Sequence, residues 1–495
     1  MDIMKLKSGS DIRGIGFSEK RDEIELTDSL VSSVTAAFVC FLHKELRIKN
    51  PVVSVGMDSR LSSKRISRVV IETLLSFGIK TFDCGLSSTP AMFMTTVNLG
   101  CDAAVMITAS HMPYKMNGLK FFSRQGGFSA GDIEIILIQA RDNPFTPVKT
   151  DKKEQKSDHM ELYCESLREM IKEGVKAKNY ETPLSGLKIA VDAGNGVGGF
   201  YADKVLAPLG ADCSASRYLE PDGHFPNHIP NPEDKTAMHS IRQAVLESNS
   251  DFGIIFDTDV DRAACVDSSG KEINRNRLIA LASTIALREF PGGTVVTDSV
   301  TSDGLSVFIT ENLGGVHRRF KRGYKNVIDE AKRLQSEGTL APLAIETSGH
   351  AAFGVNYYLD DGAYLITRIV IELANMKKKG KEPASLISGL REPIEEKETR
   401  YLIQYEDFKS YGVDVISRFE QYASKNNCVT ICPDNYEGIR VSFDKSSGNG
   451  WLLLRMSLHE PLLVMNCESD EKGGINKIME FFNEFINGFD KIKIR

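Results

Sequence analysis

The chain has 495 residues, 41% hydrophobic and 26% charged, with 40 Gly and 17 Pro, which is too long for one hydrophobic core and excludes a mostly disordered, collagenous or coiled-coil protein. Its 61 basic and 67 acidic residues leave a net charge of −6, which argues against a general binder of nucleic acid or of acidic membranes. No apolar run approaches the roughly 18 residues of a membrane span, Met1–Arg13 holds no signal-like stretch, and nine scattered cysteines suggest neither a disulfide framework nor a zinc site, so the expected home is the reducing cytoplasm.

Thr27 caps a predicted helix whose apolar face is Leu30, Val34, Phe38, Phe41, Leu42 and Leu46, near a 3.6 period. A strand is expected at Val52–Val55, then a helix through Ile66, Val69, Val70, Thr73, Leu74 and Phe77 that stops at Gly78. Ile79–Phe82 and Ala103–Thr108 read as buried strands, with a helix from Pro90 between them. Alternation of strand and helix implies a mostly parallel sheet with chemistry at the strand C-termini. The Lys-rich stretch Lys149–Asp158 reads as a linker. A second unit has strands at Leu187–Val191 and Phe252–Phe256. A third has a helix around Leu278–Leu287, strands at Thr294–Thr297 and Leu343–Glu346, and the helix Tyr364–Met376. The charged run Glu392–Arg400 suggests another boundary. Beyond it come a helix, four successive strands and a closing helix, an α+β pattern. The expected domains are 1–155, 156–272 and 273–392, all α/β with mostly parallel mixed sheets, and a smaller α+β domain at 393–495.

Four loops carry the chemistry. Thr108-Ala109-Ser110-His111-Met112-Pro113 follows a buried strand, which suits Ser110 as a nucleophile or phosphoryl carrier, although an ST-turn before Pro explains it too. Asp257-Thr258-Asp259-Val260-Asp261-Arg262 abuts Phe252–Phe256. In extended backbone its three carboxylates share a face and repel, which a cation relieves, and oxygen ligands with open positions suit Mg²⁺. An EF-hand is excluded by Arg262 and Ser268 at the positions that need Gly and Glu, whereas the D-x-D start of a dehalogenase-type phosphatase is present as Asp257-Thr258-Asp259, followed by Val260. Glu346-Thr347-Ser348-Gly349-His350 offers groups suited to sugar hydroxyls, with His350 able to exchange a proton. Arg455-Met456-Ser457-Leu458-His459-Glu460-Pro461 could cradle a phosphate through its guanidinium, Ser457 and turn amides, or be a plain hairpin. Weaker signals are a G-x-G-x-x-G at Gly194–Gly199, equally explained by a tight turn, and a basic run from His317 through Lys325.

In this order the four loops resemble those of the α-D-phosphohexomutase family. Thr108–Pro113, followed by Asn117-Gly118 and Lys120, is similar to its phosphoserine loop T-A-S-H-N-P. Asp257–Arg262 is similar to D-G-D-G-D-R, Glu346–His350 to G-E-x-S-G-H, and Arg455–Pro461 to R-P-S-G-T-E-P. Ser10–Gly14, Gly56-Met57-Asp58-Ser59-Arg60, Thr89-Pro90 and Asp360-Asp361-Gly362 add secondary matches. The departures are Met112 for Asn, Thr258 and Val260 for glycines, Leu458-His459 for Gly-Thr, and Thr347 at the variable sugar-loop position.

The resemblance implies four domains around a central cleft, the last closing over substrate. It implies a phosphohexomutase that interconverts hexose 1- and 6-phosphates through phosphorylated Ser110 and a 1,6-bisphosphate. One Mg²⁺ per chain would sit on Asp257, Asp259, Asp261 and a Ser110 phosphate oxygen, with glucose or mannose 1,6-bisphosphate as activator. Glu346 and Ser348 would hold sugar hydroxyls, and Arg455, Ser457 and His459 the sugar phosphate, with Lys325 as a further ligand. Lys120, His350 and Arg13 would move protons, and Arg262 and His111 would attend Ser110. Glucose and mannose phosphates are the expected substrates and glucosamine phosphate the alternative; the chain would be a monomer or homodimer with no nucleic-acid or membrane partner. Two rivals differ in class: a dehalogenase-type sugar phosphatase using Asp257 and Asp259, and a non-catalytic sugar-phosphate binder.

Overall fold

A computed structural model describes residues 2–457 and 460–495. The chain forms two compact units, Met1–Asn274 with Ser348–Ser385, and Arg275–Thr347 with Leu386–Arg495.

In the first unit, the predicted first helix is Asp28–Lys44, and its Thr27 hydroxyl accepts the Leu30 N–H at 3.3 Å. Contrary to the sequence expectation, the stretch Arg21–Lys44 is long and apolar enough, by length and composition, to cross a membrane. Its apolar content has a use inside the domain, because Val31, Val34, Phe38, Phe41 and Leu42 are buried in a core with Ile66, Val70, Leu119 and Phe121. The helix Ser63–Ser76 ends before Gly78, whose φ of 77° needs a residue without Cβ strain. The strands run Asp11–Ile15, Met116–Ser123, Ala103–Ile107, Val52–Met57, Lys80–Leu86 and Gln155–Lys156 across one mixed sheet. Three of its pairings are parallel, and those of Met116–Ser123 are antiparallel. The expected linker is therefore partly sheet: Gln155 and Lys156 pair with Phe82 and Asp83 as a short, exposed edge, where lysines cost nothing and discourage further pairing.

The next sheet places Ile189–Asp192 parallel to Phe252–Phe256, which pairs antiparallel with Ala263–Asp267. The acidic loop is thus the turn of a hairpin. Its carboxylates converge because the chain reverses, and not because it stays extended, which corrects the sequence argument. Hairpin Ala351–Phe353/Leu359–Asp360 and helix Gly362–Lys377 complete the unit.

Buried at the start of helix His159–Val175, His159 has its imidazole pushed down to about 4 by burial. The unfolded chain takes up this proton near pH 6.5 and the folded chain does not, so the contribution is complete above pH 6.5 and lost as pH falls towards 4. His159→Leu should flatten the pH dependence of stability across that window by up to about 3 kcal/mol. Denaturant titrations from pH 4 to 7 check this; parallel wild-type and variant curves would contradict it.

In the second unit, Thr294–Asp298 lies between Val316–Phe320 and Leu343–Ile345, both parallel to it, beside helices Arg275–Glu289 and Tyr324–Ser336. The last hundred residues form a six-stranded antiparallel sheet in the order Val429–Ile431, Ile439–Phe443, Gly450–Met456, Leu462–Ser469, Glu395–Ile403, Ile492–Ile494. Helices Phe408–Ser424 and Gly474–Ile486 pack over it through Val415, Phe419, Ile478 and Phe482. The charged run read as a boundary is mostly the strand Glu395–Ile403, whose first half is exposed and paired along one side only by Leu462–Ser469.

Candidate active site

In the first unit, Ser110 follows Ala103–Ile107 and takes a left-handed φ of 50°, sparsely populated by residues other than Gly, Asn and Asp. Arg60 holds this conformation. Its guanidinium, 2% exposed, donates to the carbonyls of Ser110, Met112 (2.6 Å), Pro113 (2.8 Å) and Met116 (3.0 Å), and its Nε faces Asp58 at 3.1 Å. A planar fork with five donors suits a ring of carbonyls as no single ammonium would.

Across from this loop, Asp257, Asp259 and Asp261 are buried, and one carboxylate oxygen from each lies within 4.8 Å of the others. Ser110 Oγ donates to Asp257 Oδ2 at 2.8 Å. Thr89 Oγ1 donates to Asp259 Oδ2, and Lys120 Nζ reaches Asp259 Oδ2 at 3.1 Å and Asp261 Oδ2 at 2.5 Å. Burial and the charges of Asp261 and Asp259 push the Asp257 carboxyl well above its ordinary range. For Asp261 burial acts in the same direction, but the charges of Lys120 and His350 outweigh it and hold its pKa low. Asp259 Oδ1 and Asp261 Oδ1 are buried and have no hydrogen-bond partner among the described residues. Buried carboxylate oxygens without donors fit a cation with oxygen ligands, so the triplet is a site that could hold a metal ion. Val260, where the resembling loops have Gly, sits at φ 64°, unusual for a β-branched residue; its carbonyl is held by the Gly362 N–H at 3.1 Å.

Arg262 extends from this loop back to the serine. Its Nη2 contacts His111 Nδ1 and lies 3.5 Å from Ser110 Oγ, while Nη1 faces Glu233 at 3.4 Å. His350 Nδ1 pairs with Asp360 and lies 4.0 Å from Asp261 Oδ1. Burial alone would lower the imidazole pKa, but the charges of Asp360 and Asp261 win and raise it. Ser110, His111, Lys120, Asp257, Asp259, Asp261, Arg262 and His350 thus form one cluster. Arg13 pairs with Asp11 at 2.7 Å on the strand beside that of Lys120, and Ser348 is buried at the start of the segment leading to His350.

In the second unit, Glu346 Oε1 accepts the Gly323 N–H at 2.6 Å. Thr347 donates its hydroxyl to buried Asp298 at 2.6 Å, so the variable sugar-loop side chain is occupied within the protein. Arg455 is 7% exposed, with Nε 3.4 Å from Glu437; burial and then the Arg322 guanidinium depress its pKa. Ser457 donates its N–H to the Leu462 carbonyl at 2.8 Å, and its Oγ accepts the Glu460 N–H at 3.3 Å. Lys325 lies along its own helix with Nζ 2.6 Å from Asp329. Leu458 and His459 lie outside the described residues.

Sequence reasoning assigns no role to Arg60, Thr89, Asp360 (other than imitating the second acidic pair of the phosphatase alternative) or Glu437. The first three stand in the secondary matches quoted above, which were the available signal; Glu437 has none. The G-x-G-x-x-G is a packing turn. The amides of Asn195, Gly196 and Val197 are already donated to Tyr218, Ala193 and Thr258, and a Cβ on Gly199 would stand 2.3 Å from the Leu219 carbonyl oxygen. No ring of amides remains there for a pyrophosphate.

A serine hydrogen-bonded to a buried acidic triplet that could hold a metal ion, on α/β layers of this kind, fits the class of phosphoryl-transfer enzymes. Residues 4–143, 161–270 and 274–392 match the phosphoglucomutase/phosphomannomutase alpha/beta/alpha domains I, II and III, respectively, and the chain belongs to that family of phosphohexomutases, which are isomerases. It is 28% identical over 433 residues to the phosphomannomutase/phosphoglucomutase of Pseudomonas putida, covering 87% of this chain and 86% of that one. It is 29% identical to a "Probable phosphoglucosamine mutase" of Methanosphaera stadtmanae, covering 98% and 99%. The fold matches the crystal structure of a phosphoglucomutase/phosphomannomutase family protein from Burkholderia thailandensis with a TM-score of 0.81, at 24% identity and over 99% and 98% of the two chains.

Proposed function

We propose that this chain interconverts hexose 1-phosphate and hexose 6-phosphate, with glucose and mannose phosphates as substrates, through phosphorylated Ser110 and a 1,6-bisphosphate. The observation that carries the reading is the 2.8 Å hydrogen bond from Ser110 Oγ to Asp257 within the acidic triplet. Mg²⁺ is the cation assigned to Asp257, Asp259 and Asp261, and when bound it offsets charge on the transferring phosphoryl group. Ser110 gives its phosphoryl group to the free hydroxyl of the sugar phosphate: the Ser O–P bond breaks, a sugar O–P bond forms, the sugar hydroxyl proton leaves to a base, and the freed Ser110 Oγ takes up a proton to become the hydroxyl again. The reverse transfer from the other end of the bisphosphate restores phosphorylated Ser110 and releases the isomer. Lys120, already among the carboxylates, is the assigned proton carrier. His350, fixed by Asp360, and Arg13 assist it, while Arg262 and His111 steady the serine. Arg455, Ser457 and His459 take the sugar phosphate, and Glu346 and Ser348 its hydroxyls. Lys325, engaged with Asp329, is a peripheral ligand in this scheme. Expected partners are sugar phosphates alone, for a monomer or homodimer in the cytoplasm, with glucose or mannose 1,6-bisphosphate as activator.

Mass spectrometry of the purified protein should find phosphate on Ser110. A coupled assay with trace 1,6-bisphosphate, offering glucose, mannose and glucosamine 1-phosphates in turn, should show turnover that chelation abolishes and Mg²⁺ restores. Preference for the glucosamine substrate would favour the second reading, which the Methanosphaera relative suggests. Phosphate on Asp257, with release of free phosphate, would instead identify a phosphatase.

A further inference from the structure

Within the second unit, Glu437 stands where three separate segments meet. It lies just before the strand Ile439–Phe443, and its carboxylate meets groups from three other places in the chain. Oε1 accepts the Ser299 hydroxyl at 2.7 Å and lies 3.4 Å from Arg455 Nε, while Oε2 accepts the Arg322 N–H at 2.6 Å. The next amide along the chain, that of Gly323, is donated to Glu346 Oε1, also at 2.6 Å. Two consecutive amides therefore fix two carboxylates, one on the arginine expected to hold phosphate and one belonging to the residue expected to hold sugar hydroxyls. Burial raises the Glu437 pKa, and the charges of Arg455 and Arg322 with the bonds from Ser299 and the Arg322 amide oppose it, as for a carboxylate withdrawn from water among cations and donors.

The side on which Glu437 approaches matters. A guanidinium presents five N–H donors around its plane; with the Glu437 carboxylate on the Nε side and one Nη1 hydrogen donated to the Met456 carbonyl at 3.4 Å, the remaining Nη1 and Nη2 hydrogens form a fork that matches two phosphate oxygens. We propose that Glu437 is a positioning residue: it buttresses Arg455 from the Nε side and, through the Arg322–Gly323 amides, holds the phosphate fork at a set spacing from Glu346. This rests on the mutase reading for Arg455 and Glu346, and assigns to Glu437 a role that neither the loop motifs nor the family match supplies. Because one carboxylate serves both ends of the substrate, its loss affects binding of either hexose monophosphate and leaves the chemistry at Ser110 intact.

The test compares wild type with Glu437→Gln, Glu437→Asp and Ser299→Ala, using inorganic phosphate as the calorimetric probe and steady-state kinetics with a hexose 1-phosphate. Glu437→Gln keeps the shape and removes the charge beside Arg455, so the Kd for phosphate and the KM should each rise about 10-fold, with kcat within about 3-fold of wild type. Glu437→Asp should recover part of that loss. Ser299→Ala, which cuts one support without touching a charge, covers the case in which a Glu437 variant fails to fold, and should raise KM about 3-fold. Unchanged Kd and KM in the folded variants would overturn the proposal, as would a fall in kcat at constant KM. If wild type binds phosphate but turns over no hexose phosphate, while Glu437→Gln weakens that binding, the mutase reading fails and the positioning role stands.

Discussion

Ser110→Ala should lower mutase turnover by about 10⁴-fold or more, equivalent to at least about 5 kcal/mol of transition-state stabilisation, and leave no covalent phosphate on the loop. The size follows from what disappears. Without Oγ the phosphoryl group has no covalent carrier, and Asp257 loses the hydroxyl that donates to it at 2.8 Å. The alternative acceptors are poor: His111 is already in contact with Arg262, and Asp257 converges with Asp259 and Asp261 on the site assigned to the cation. The fold should tolerate the change, because the Ser110 carbonyl, which Arg60 holds, is retained. Turnover in the coupled assay, thermal unfolding and intact-mass measurement of the two proteins decide it. Substantial residual activity in a folded Ser110→Ala protein would mean that another residue carries the phosphate, or that none does.

Arg60→Met should cost about 3–5 kcal/mol of stability, the range for breaking a buried ion pair from one side. Its partner Asp58 is also buried and would keep an uncompensated carboxylate, already pushed towards protonation by burial. Four carbonyls of the Ser110–Met116 segment would lose the Arg60 donor at the same time, although the Pro113 carbonyl keeps the Met116 N–H. The serine would then lose the support for its left-handed φ, and turnover should fall by at least about 100-fold, the scale of a displaced reacting atom. Arg60→Lys should recover little, because one ammonium cannot span carbonyls arrayed around a planar fork. Denaturant titration together with the coupled assay checks both parts. A stability loss below about 1 kcal/mol would show that the clamp is not what holds the loop.

Much of the site was readable because each chemical loop follows an apolar strand that the sequence marks plainly: Ala103–Ile107 before Ser110, Phe252–Phe256 before Asp257, Leu343–Ile345 before Glu346. Such strands are recognised by local composition, and the residues after them inherit a position at a strand's C-terminal end. The strand Met116–Ser123 was not readable. It is buried along nearly its whole length yet carries Asn117 and Lys120 inward, which erases the apolar signature of a central strand. Its polar residues are satisfied by Ser62, Ser63 and the acidic triplet, partners up to 141 positions away.

Local periodicity and short motifs were enough to mark which residues could do chemistry, the α/β order of the first three domains and the change to α+β in the last. What holds those residues in place came from long-range contacts. Tertiary structure turned the acidic loop into a hairpin turn, set Arg60 under the serine, directed Thr347 to Asp298 and put Glu437 against Arg455. Each is a contact between segments distant in the chain, or a backbone reversal. Their free energy comes from desolvated charges and donors meeting across the fold, which no nearest-neighbour pattern encodes.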